Sequence, residues 1–314
     1  MAHDYVTISE FEFLSRFDTE AKAVEFFESV RWKDGRTCPH CDHQHTYQHK
    51  TRQFFYHCRA CRKQFTCKVH TIMHASPLPV KMWLFAMYKI SVARKGISSL
   101  QLSKQLGITQ KSAWYMLHRI KEACGGDQGP LSGIIEVDET FIGGKAKNKH
   151  QDKKPKKIRG TEGKQAVFGM RQRGGKTFAK PVPRTDRNTL VPEIEQRVES
   201  GSIIYSDESG TYRELDANKY FHDSVNHSAG EFVNGFVHTN GMESVWAVLK
   251  RSIVGTYHHV SFKHLHRYVN EATFRLNDGR VDNHVMDRIT TLCRLSLDRQ
   301  LPYATLTRGL HVSV

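Results

Sequence analysis

Two cysteine pairs constrain the fold of this 314-residue chain more than any other feature. The pairs are CPHC and CRAC, and their thiols belong to Cys38, Cys41, Cys58 and Cys61. A Cys-x-x-Cys turn places two thiolates on one side of a tight knuckle, and two knuckles joined by a hairpin complete the tetrahedron that zinc prefers. The pattern predicts a zinc ribbon with one structural Zn²⁺, since four thiolates leave no ligand position open.

Two other interpretations of these thiols stay open. They are disulfides, which a cytosolic chain disfavours, and reduced cysteines without a metal. Such a small module has too little core to fold alone, and the metal would supply the missing free energy of folding.

The module also carries basic side chains that suit a phosphate backbone, although a solvated basic face is the alternative. Those side chains include Arg59, Arg62 and Lys63.

The charge balance favours a polyanionic partner. Lys and Arg number 47 against 32 Asp and Glu, a formal net charge of +15. Nucleic acid is the partner that this charge indicates, because each neutralised phosphate releases a counterion; an acidic membrane surface or a solvated face would also explain it. The longest dense apolar run, MWLFAMY, is too short to span a bilayer, and the first residues lack a signal-peptide pattern. We therefore expect a cytoplasmic protein without a membrane partner.

Helical patterns follow the cysteine module. The stretch VKMWLFAMYKISVA predicts a buried helix with bulky residues on neighbouring turns: Trp83, Leu84, Met87 and Ile90. Farther on, Gly107 separates two short helices and Thr109 can cap the second. Such a pair is typical of a helix-turn-helix, although many helical hairpins only pack. The second helix would offer four side chains to a major groove: Lys111, Ser112, Tyr115 and Arg119.

Beyond a GGDQGP linker the sequence predicts an α/β sheet that carries acids. SGIIEVDETFIGG is a β-branched strand with Asp138 where the strand would emerge from the sheet, and the later strand in SIIYSDESG ends at Asp207. A helix in NGMESVWAVLK brings Glu243, with Lys250 seven residues on and so on the same helix face. Such a trio of carboxylates can hold two Mg²⁺ ions about 3.5 to 4 Å apart, and Lys250 could grip a substrate phosphate.

An ordinary explanation of Glu243 stays open. Asn240 followed by Glu243 is a capping-box arrangement, so this acid could simply hold the start of a helix. With 32 acids in the chain, some pair at any chosen spacing is expected by chance. Asp138 and Asp207 both follow apolar strands, which favours the metal site, but residue chemistry alone leaves capping plus solvated acids as the alternative.

Several motifs together resemble the catalytic domain of DDE insertion-sequence transposases of the group with an N-terminal zinc ribbon. They are EVDETFIGGK, IIYSDESGTY, VNHS, HTNGMESVWAVLKR and YHHVSFKHLHRYVNEATFRLN, and the resemblance covers roughly residues 10 to 280. It implies an RNase H-like mixed sheet and a DDE triad of Asp138, Asp207 and Glu243, at intervals of 69 (207 − 138) and 36 (243 − 207) residues. Some relatives use Asn as the third ligand, which keeps Asn240 in consideration.

The resemblance also implies a reaction and its partners. A DNA transposase would bind the element's ends, hydrolyse a phosphodiester with two Mg²⁺ ions, which Mn²⁺ can replace, and join the exposed 3′-hydroxyl to target DNA, with Lys250 positioning the strand. The partners would be double-stranded DNA, as terminal repeats and target, and further copies of the chain in a homodimer or larger assembly. Apart from the resemblance, the insert KAKNKHQDKKPKKIRG, residues 145 to 160, is rich in lysine and short of apolar residues, and it would contact DNA or stay solvated. Its central lysines are Lys153, Lys154, Lys156 and Lys157.

We expect five regions along the chain. They are an N-terminal helical segment (1–34), the zinc ribbon (35–75), a helix-turn-helix DNA-binding region (76–128), the RNase H-like catalytic domain (129–290) and a C-terminal tail (291–314). Two rival functions stay open. A DNA-binding regulator derived from such a transposase would bind DNA without cutting it in Mg²⁺, and an RNase H-like nuclease would cut strands but never join them. The expected location is the bacterial cytoplasm or nucleoid.

Overall fold

The computed structural model of this protein describes residues 7–126, 129–144, 161, 163–207, 210–212, 215, 217–225, 237–279 and 282–308. The chain divides into two compact units: the ribbon unit, Met1–Gly126 with Asp278–Val314, and the sheet unit, Asp127–Asn277. The five regions expected from the sequence divide the chain more finely, and their boundaries stay a prediction. Within the described stretches, no helix combines the length and apolarity needed to cross a membrane.

The helices and strands are numbered in chain order. The helices are α1 Glu10–Arg16, α2 Glu20–Arg31, α3 Val80–Val92, α4 Ser99–Leu106, α5 Gln110–Ala123, α6 Arg187–Arg197, α7 Asn240–Ser252, α8 Leu265–Asp278, α9 Val285–Leu295 and α10 Tyr303–Arg308. The strands are β1 Thr46–Gln48, β2 Tyr56–Cys58, β3 Gln64–Phe65, β4 Ile134–Ile142, β5 Gln165–Gln172, β6 Thr177–Val182, β7 Ile203–Asp207 and β8 Phe221–Val225.

The zinc-ribbon region folds as a three-stranded antiparallel sheet in the order β1-β2-β3. Its small core contains Tyr56 and Phe65, and the Trp32 ring lies 6.0 Å from each of their rings. The Tyr56 hydroxyl also donates to Glu28 Oε2 at 2.9 Å, which ties the ribbon to α2. Because so few apolar side chains contribute, this core is small for an independently stable module.

The helix predicted around residue 83 forms as α3 and is buried as expected. The side chains of Trp83, Leu84, Met87 and Ile90 are each at most 1% exposed. Helix α9 packs against α2 and α3, so the last part of the described chain completes the core of the ribbon unit. The burial pattern of α3 is therefore confirmed.

The predicted helix-turn-helix region forms α4 and α5. Gly107 ends α4 with a φ of 65°, a left-handed conformation that suits glycine because it lacks a Cβ. Thr109 then caps α5 by accepting a hydrogen bond from the Ser112 N–H at 3.2 Å. Leu102 and Ala113 are both fully buried, which joins the two helices as the hydrophobic pattern predicts.

The sheet unit contains a five-stranded mixed sheet in the order β6-β5-β4-β7-β8. Strands β4, β5 and β6 pair antiparallel, whereas β7 pairs parallel with β4 and β8 pairs parallel with β7. Helix α6 lies between β6 and β7 in the chain. The prediction of an α/β mixed sheet preceded by a zinc ribbon and a helix-turn-helix is confirmed, and its assignment to the RNase H-like superfamily stays a prediction.

The two faces of this sheet have different roles. Side chains alternate along a strand, so neighbouring residues of β4 point to opposite faces. Ile135 and Val137 are fully buried in the core that α6 covers. Glu136 and Asp138 hydrogen-bond to α7, which packs with α8 on the other face. The acidic positions of β4 therefore face the helix that carries Glu243.

Candidate functional site

The four predicted zinc ligands lie together. The Sγ atoms of Cys38 and Cys61 are 3.7 Å apart, those of Cys41 and Cys58 are 3.6 Å apart, and all four lie within 4.8 Å of one another. A tetrahedral site with Zn–S bonds of about 2.3 Å has sulfur–sulfur edges of about 3.8 Å, so this spacing fits Zn²⁺. All four are free cysteines. The cluster therefore supports a structural Zn²⁺ rather than disulfides.

Both cysteine knuckles close in the same way. The Asp42 N–H donates to the Cys38 carbonyl at 2.8 Å, and the Arg62 N–H donates to the Cys58 carbonyl at 3.1 Å. Each donor has a positive φ, 56° at Asp42 and 58° at Arg62. This left-handed conformation turns the chain back over the thiols in each knuckle. The repeat in sequence is thus a repeat in backbone geometry.

The first two predicted acids belong to neighbouring parallel strands, Asp138 to β4 and Asp207 to β7. The β4–β7 pairing joins Glu136 to Tyr205, an offset of 69 residues (205 − 136). Two residues on, the same offset places Asp138 opposite Asp207, the last residue of β7. The 69-residue interval between the two acids is therefore the same as the residue offset between the paired strands β4 and β7. Asp138 does not stand at a strand end, as the sequence suggested, because β4 continues to residue 142 along β5.

Asp138 is held by two hydrogen bonds. The Trp246 Nε1–H donates to its Oδ2 at 2.8 Å, and the Glu139 backbone N–H donates to its Oδ1 at 2.8 Å. Its cross-strand partner Gly169 leaves room for the indole, since a Cβ there would lie 2.4 Å from Met242 Cε and 2.5 Å from Trp246 Cη2. Sequence analysis did not identify the roles of Gly169 and Trp246.

Burial, together with repulsion between neighbouring carboxylates, opposes full ionisation of the acids at this site. Burial raises the pKa of Asp138 to about 6, against the lowering effect of its two hydrogen bonds, and the charges of Asp207 and Glu243 add to the rise. Burial, with the charges of Asp138 and Asp207, also raises the pKa of Glu139 to about 8. The Glu139 carboxylate accepts a hydrogen bond from the Tyr212 hydroxyl. A bound cation would relieve this repulsion, so the donor set fits a hard divalent metal.

The three acids are more widely spread than the ligands of a single ion. Within the part of the chain that the structure describes, only the cysteine cluster brings three or more possible ligand atoms within 4.8 Å of one another. Carboxylates that flank two ions about 3.5 to 4 Å apart need a wider arrangement than that. The three acids therefore do not form a close cluster of this kind among the described residues.

Glu243 lies in the first turn of α7 and is exposed. The capping box considered from the sequence does not form, because α7 has Thr239 as its N-cap, without a side-chain capping bond, and Asn240 as its first residue. The charge of Glu243 reaches Asp138, since it contributes to the raised pKa of that acid. An exposed carboxylate on the helix that contacts Asp138 is accessible to a metal ion.

The start of α7 is instead anchored by Glu136, which sequence analysis did not single out. Its Oε2 accepts from the Met242 N–H at 3.0 Å, its Oε1 accepts from Arg173 Nε at 2.9 Å, and it is 2% exposed. Gly241 permits this approach, because a Cβ there would lie 2.5 Å from Glu136 Oε2. Glu136 therefore caps the positive end of the helix that carries Glu243. The available signal was an acid on the same strand face, two residues before Asp138.

The predicted basic contacts differ in their placement. Lys250 lies in the last turn of α7 and is exposed, two turns from Glu243. The basic residues of the ribbon are also exposed: Arg59, Arg62 and Lys63. The lysines of the basic insert lie outside the described residues: Lys153, Lys154, Lys156 and Lys157.

Two of the four side chains expected to face a DNA groove bond inside the ribbon unit instead. Arg119 is 5% exposed, and its guanidinium donates to the carbonyls of Leu301 at 3.2 Å and His74 at 2.7 Å. Tyr115 donates its hydroxyl to the Leu301 carbonyl at 2.7 Å. The segment before α10 covers this side of α5, so neither side chain is offered to a groove. The other two belong to the first turn of α5: the exposed Lys111 and the half-buried Ser112.

Family models match both units of the chain. A model described as ISXO2-like transposase domain matches residues 130–277, which include all three acids. A model described as transposase zinc-ribbon domain matches residues 18–64, which include all four cysteines. The two matches thus coincide with the two candidate metal centres.

Relatives and solved structures are also similar to this chain. It is 26% identical over 251 residues to an uncharacterized protein in transposable element ISH50 of Halobacterium salinarum, covering 76% of this chain and 84% of the relative. It is 27% identical over 110 residues to an uncharacterized transposase-like protein of Haemophilus influenzae, covering 35% and 88%. A pre-cleavage Mos1 transpososome (12% identity, 64% of this chain and 72% of that chain covered) gives a TM-score of 0.29, and a simian T-cell lymphotropic virus intasome (12% identity, 58% and 66% covered) gives a TM-score of 0.27.

Proposed function

Because this chain belongs to the zinc-ribbon-containing DDE insertion-sequence transposases, we propose that it binds the ends of its element and catalyses metal-dependent hydrolysis and transfer of DNA strands. One observation carries the proposal. Continued two residues past the Glu136–Tyr205 pair, the register of the parallel strands β4 and β7 brings Asp138 level with Asp207, and the charges of Asp207 and Glu243 contribute to the raised pKa of Asp138. Buried acids whose charges also repel one another favour a bound divalent cation.

The three acids are the proposed ligands of two Mg²⁺ ions, which Mn²⁺ can replace. When bound, the ions activate the attacking oxygen and stabilise the leaving oxygen of a phosphodiester. Asp138, Asp207 and Glu243 would hold the ions, and Trp246 orients Asp138 through its 2.8 Å hydrogen bond. Asn240 is the alternative third ligand, as the first residue of the same helix.

Helix α7 also supplies the proposed contact with the scissile strand. Lys250 is exposed and lies seven residues after Glu243, so the two side chains project from one face of the helix. An ammonium group at this position neutralises a phosphate that the acids would otherwise repel. Anchoring of the helix start by Glu136 then determines where both side chains stand relative to Asp138.

The proposed partner is double-stranded DNA, as the terminal repeats of the element and as target. The net charge of +15 supports this partner. Proposed phosphate contacts are the exposed residues Arg59, Arg62, Lys63 and Lys111, with Ser112 and the lysines of the basic insert. Two element ends are cut in one event, so we expect a homodimer or larger assembly on DNA, working in the bacterial cytoplasm or nucleoid.

The test is a cleavage and joining assay on DNA that carries the element's flanking ends, in Mg²⁺ or Mn²⁺. Glu243→Gln retains most of the shape of the side chain but loses its charge. We expect it to abolish both cleavage and joining while folding and DNA binding persist. The matched control is Glu195→Gln on α6, an exposed acid paired with Lys219, which should act as the intact protein does.

The assay also separates the rival functions. Cleavage without joining would indicate an RNase H-like nuclease, and DNA binding without cleavage would indicate a regulator. Full activity of Glu243→Gln would remove Glu243 from the metal site and make Asn240→Ala the next variant. Inactivity of the Glu195→Gln control would show that loss of an acid outside the site also impairs the sheet unit. Inactivity of Glu243→Gln would then not identify Glu243 as a metal ligand.

A further inference from the structure

The outer face of the ribbon hairpin carries a group of stacked rings. Tyr47 on β1 and His57 on β2 are cross-strand partners whose rings lie 5.2 Å apart at an angle of 10°. His49 stacks on His57 as well, with 5.3 Å between ring centroids and an angle of 22°. The Thr51 N–H donates to His49 Nδ1 at 3.2 Å, which holds that ring in place. The rings are thus ordered before any ligand arrives.

These rings are not part of the ribbon core. The other face of the hairpin carries Tyr56 and Cys58, each 2% exposed, whereas Tyr47 is 49% exposed. Cross-strand pairs of rings stabilise a hairpin, but that role does not require half of a tyrosine ring to remain in water. The exposed face of Tyr47 is therefore available to a flat apolar ligand.

The surroundings of Tyr47 are cationic and open. The Arg59 guanidinium carbon lies 5.9 Å from the Tyr47 ring centroid. A flat ring inserted between them needs about 7 Å, twice the roughly 3.5 Å contact distance of stacked carbon atoms, so Arg59 would move by only about 1 Å. Tyr47, His57, Cys58, Arg59 and Arg62 line an open pocket of about 620 Å³ at this place. A nucleobase with its sugar is small enough for this space.

We propose that this pocket binds an unpaired nucleobase of the DNA, stacked on Tyr47, with the adjacent phosphates against Arg59 and Arg62. An aromatic face next to guanidinium groups is the combination that binds single strands. Bases inside a duplex have both faces covered by their neighbours, so only a melted or single-stranded stretch presents one to Tyr47. The inference rests on the proposed function, which makes DNA the substrate, and it adds that the ribbon binds strands that are locally unpaired.

The test compares three fluorescein-labelled probes of equal length by anisotropy with the full-length, zinc-loaded protein: a single-stranded oligothymidine, the same strand with abasic sugars, and a duplex. The intact protein should bind the base-bearing strand more tightly than the abasic strand. Tyr47→Ala should weaken binding of the base-bearing strand about 5- to 150-fold, the range that base stacking on an aromatic ring corresponds to. Tyr47→Phe should retain the preference, and duplex affinity should stay unchanged.

Controls make the result specific to the pocket. Phe11→Ala removes a more exposed ring, 86% accessible on α1, and should bind all probes as the intact protein does. The zinc content of each variant verifies that the ribbon is folded. Unchanged binding of the base-bearing strand by Tyr47→Ala, or an equal loss on duplex, would overturn the pocket and leave DNA as the substrate. Failure of the intact protein to bind any of the probes would overturn the proposed function as well.

Discussion

The zinc ribbon takes its four ligands from one hairpin, with Cys38 and Cys61 only 23 positions apart, whereas the carboxylate site joins groups as distant as Asp138 and Trp246, 108 positions apart. In the ribbon, two local turns set the sulfur positions and the metal stabilises a small core. In the sheet unit, strand register and helix packing set the acids, and burial raises the pKa of Asp138 to about 6. We therefore expect the ribbon to need its metal in order to fold, whereas the fold forms the carboxylate site at an electrostatic cost.

Loss of zinc should have the largest effect, because structural zinc contributes about 10–16 kcal/mol of apparent binding free energy in small zinc-dependent domains at pH 7. Cys38→Ser removes one of four thiolates. We expect its zinc content to fall from one equivalent to nearly none and the Trp32 fluorescence to change, since that ring contacts Tyr56 and Phe65. Metal analysis and fluorescence provide the measurement.

The control for zinc loss is a buried cysteine outside the cluster. Cys67→Ala removes a thiol that is not among the four clustered sulfurs, so it should keep one equivalent of zinc even if it lowers stability. Retention of zinc by Cys38→Ser would show that another side chain can replace this ligand. Zinc binding by the ribbon would then not require all four cysteines of the two Cys-x-x-Cys turns.

The difference between contacts that are local in sequence and contacts that are distant explains how much could be predicted from the sequence. Local features were predictable: the cysteine knuckles, the burial of α3 and the cap at Thr109 all depend on residues a few positions apart. The α/β sheet was also predictable, from strand and helix patterns and from the resemblance. The anchoring of α7 by Glu136 was not, because it joins residues 106 positions apart and depends on which strand faces which helix.

One error has the same physical origin. Arg119 has the helical position of a groove-reading residue, but the chain returns 182 positions later and Leu301 accepts a hydrogen bond from its guanidinium. Nothing in the local pattern around α5 indicates that a C-terminal segment covers this face. Sequence reasoning therefore works where ligands and caps are local and fails where the tertiary fold supplies the partner.

The anchor of α7 should give the second largest effect. Glu136→Gln removes the charge toward which Arg173 Nε and the Met242 N–H point, so we expect a loss of about 3 kcal/mol in the free energy of unfolding. Metal-dependent cleavage should fall as well, because the helix that carries Glu243 is no longer fixed. Urea unfolding at several wavelengths measures the first effect.

A surface ion pair provides the control for Glu136. Glu195→Gln breaks a pair with Lys219 in which the two side chains are 40% and 47% exposed, and should cost less than about 1 kcal/mol. Equal losses in the two variants would mean that the buried anchor has no special importance. The carboxylate site would then depend on strand register alone.

The glycine under Trp246 should give a smaller effect. Gly169→Ala adds a Cβ that would lie 2.4 Å from Met242 Cε and 2.5 Å from Trp246 Cη2, so these side chains or α7 itself must shift. Overpacking of this kind costs about 1–3 kcal/mol, and we expect about 2 together with lower cleavage activity. Gly255→Ala is the control, because a Cβ there meets nothing within 4 Å. Unaltered stability and activity of Gly169→Ala would show that the indole position is not required.

The smallest effect should be a gain in stability on removal of an acid. Since the folded state raises the pKa of Asp138 to about 6 from an ordinary 3.8, its ionisation opposes folding above pH 6, and this penalty disappears as the pH falls toward 4. Asp138→Asn removes the penalty at pH 8. The full shift corresponds to about 3 kcal/mol, but the new amide places N–H groups beside donors from Trp246 and Glu139, so we expect a net gain of about 1 kcal/mol.

Thermal unfolding in buffer without Mg²⁺, at pH 8 and pH 4, tests this gain. The advantage of Asp138→Asn should be present at pH 8 and absent at pH 4, and added Mn²⁺ should stabilise the intact protein but not the variant. Asp186→Asn is the control, because hydrogen bonds from Thr189 lower the pKa of that acid and asparagine is an equally good helix cap. Lower stability of Asp138→Asn than of the intact protein at pH 8 would show that ionised Asp138 does not destabilise the fold. The carboxylate site would then lack the electrostatic cost that distinguishes it from the ribbon. The two metal centres would then differ only in where their ligands come from.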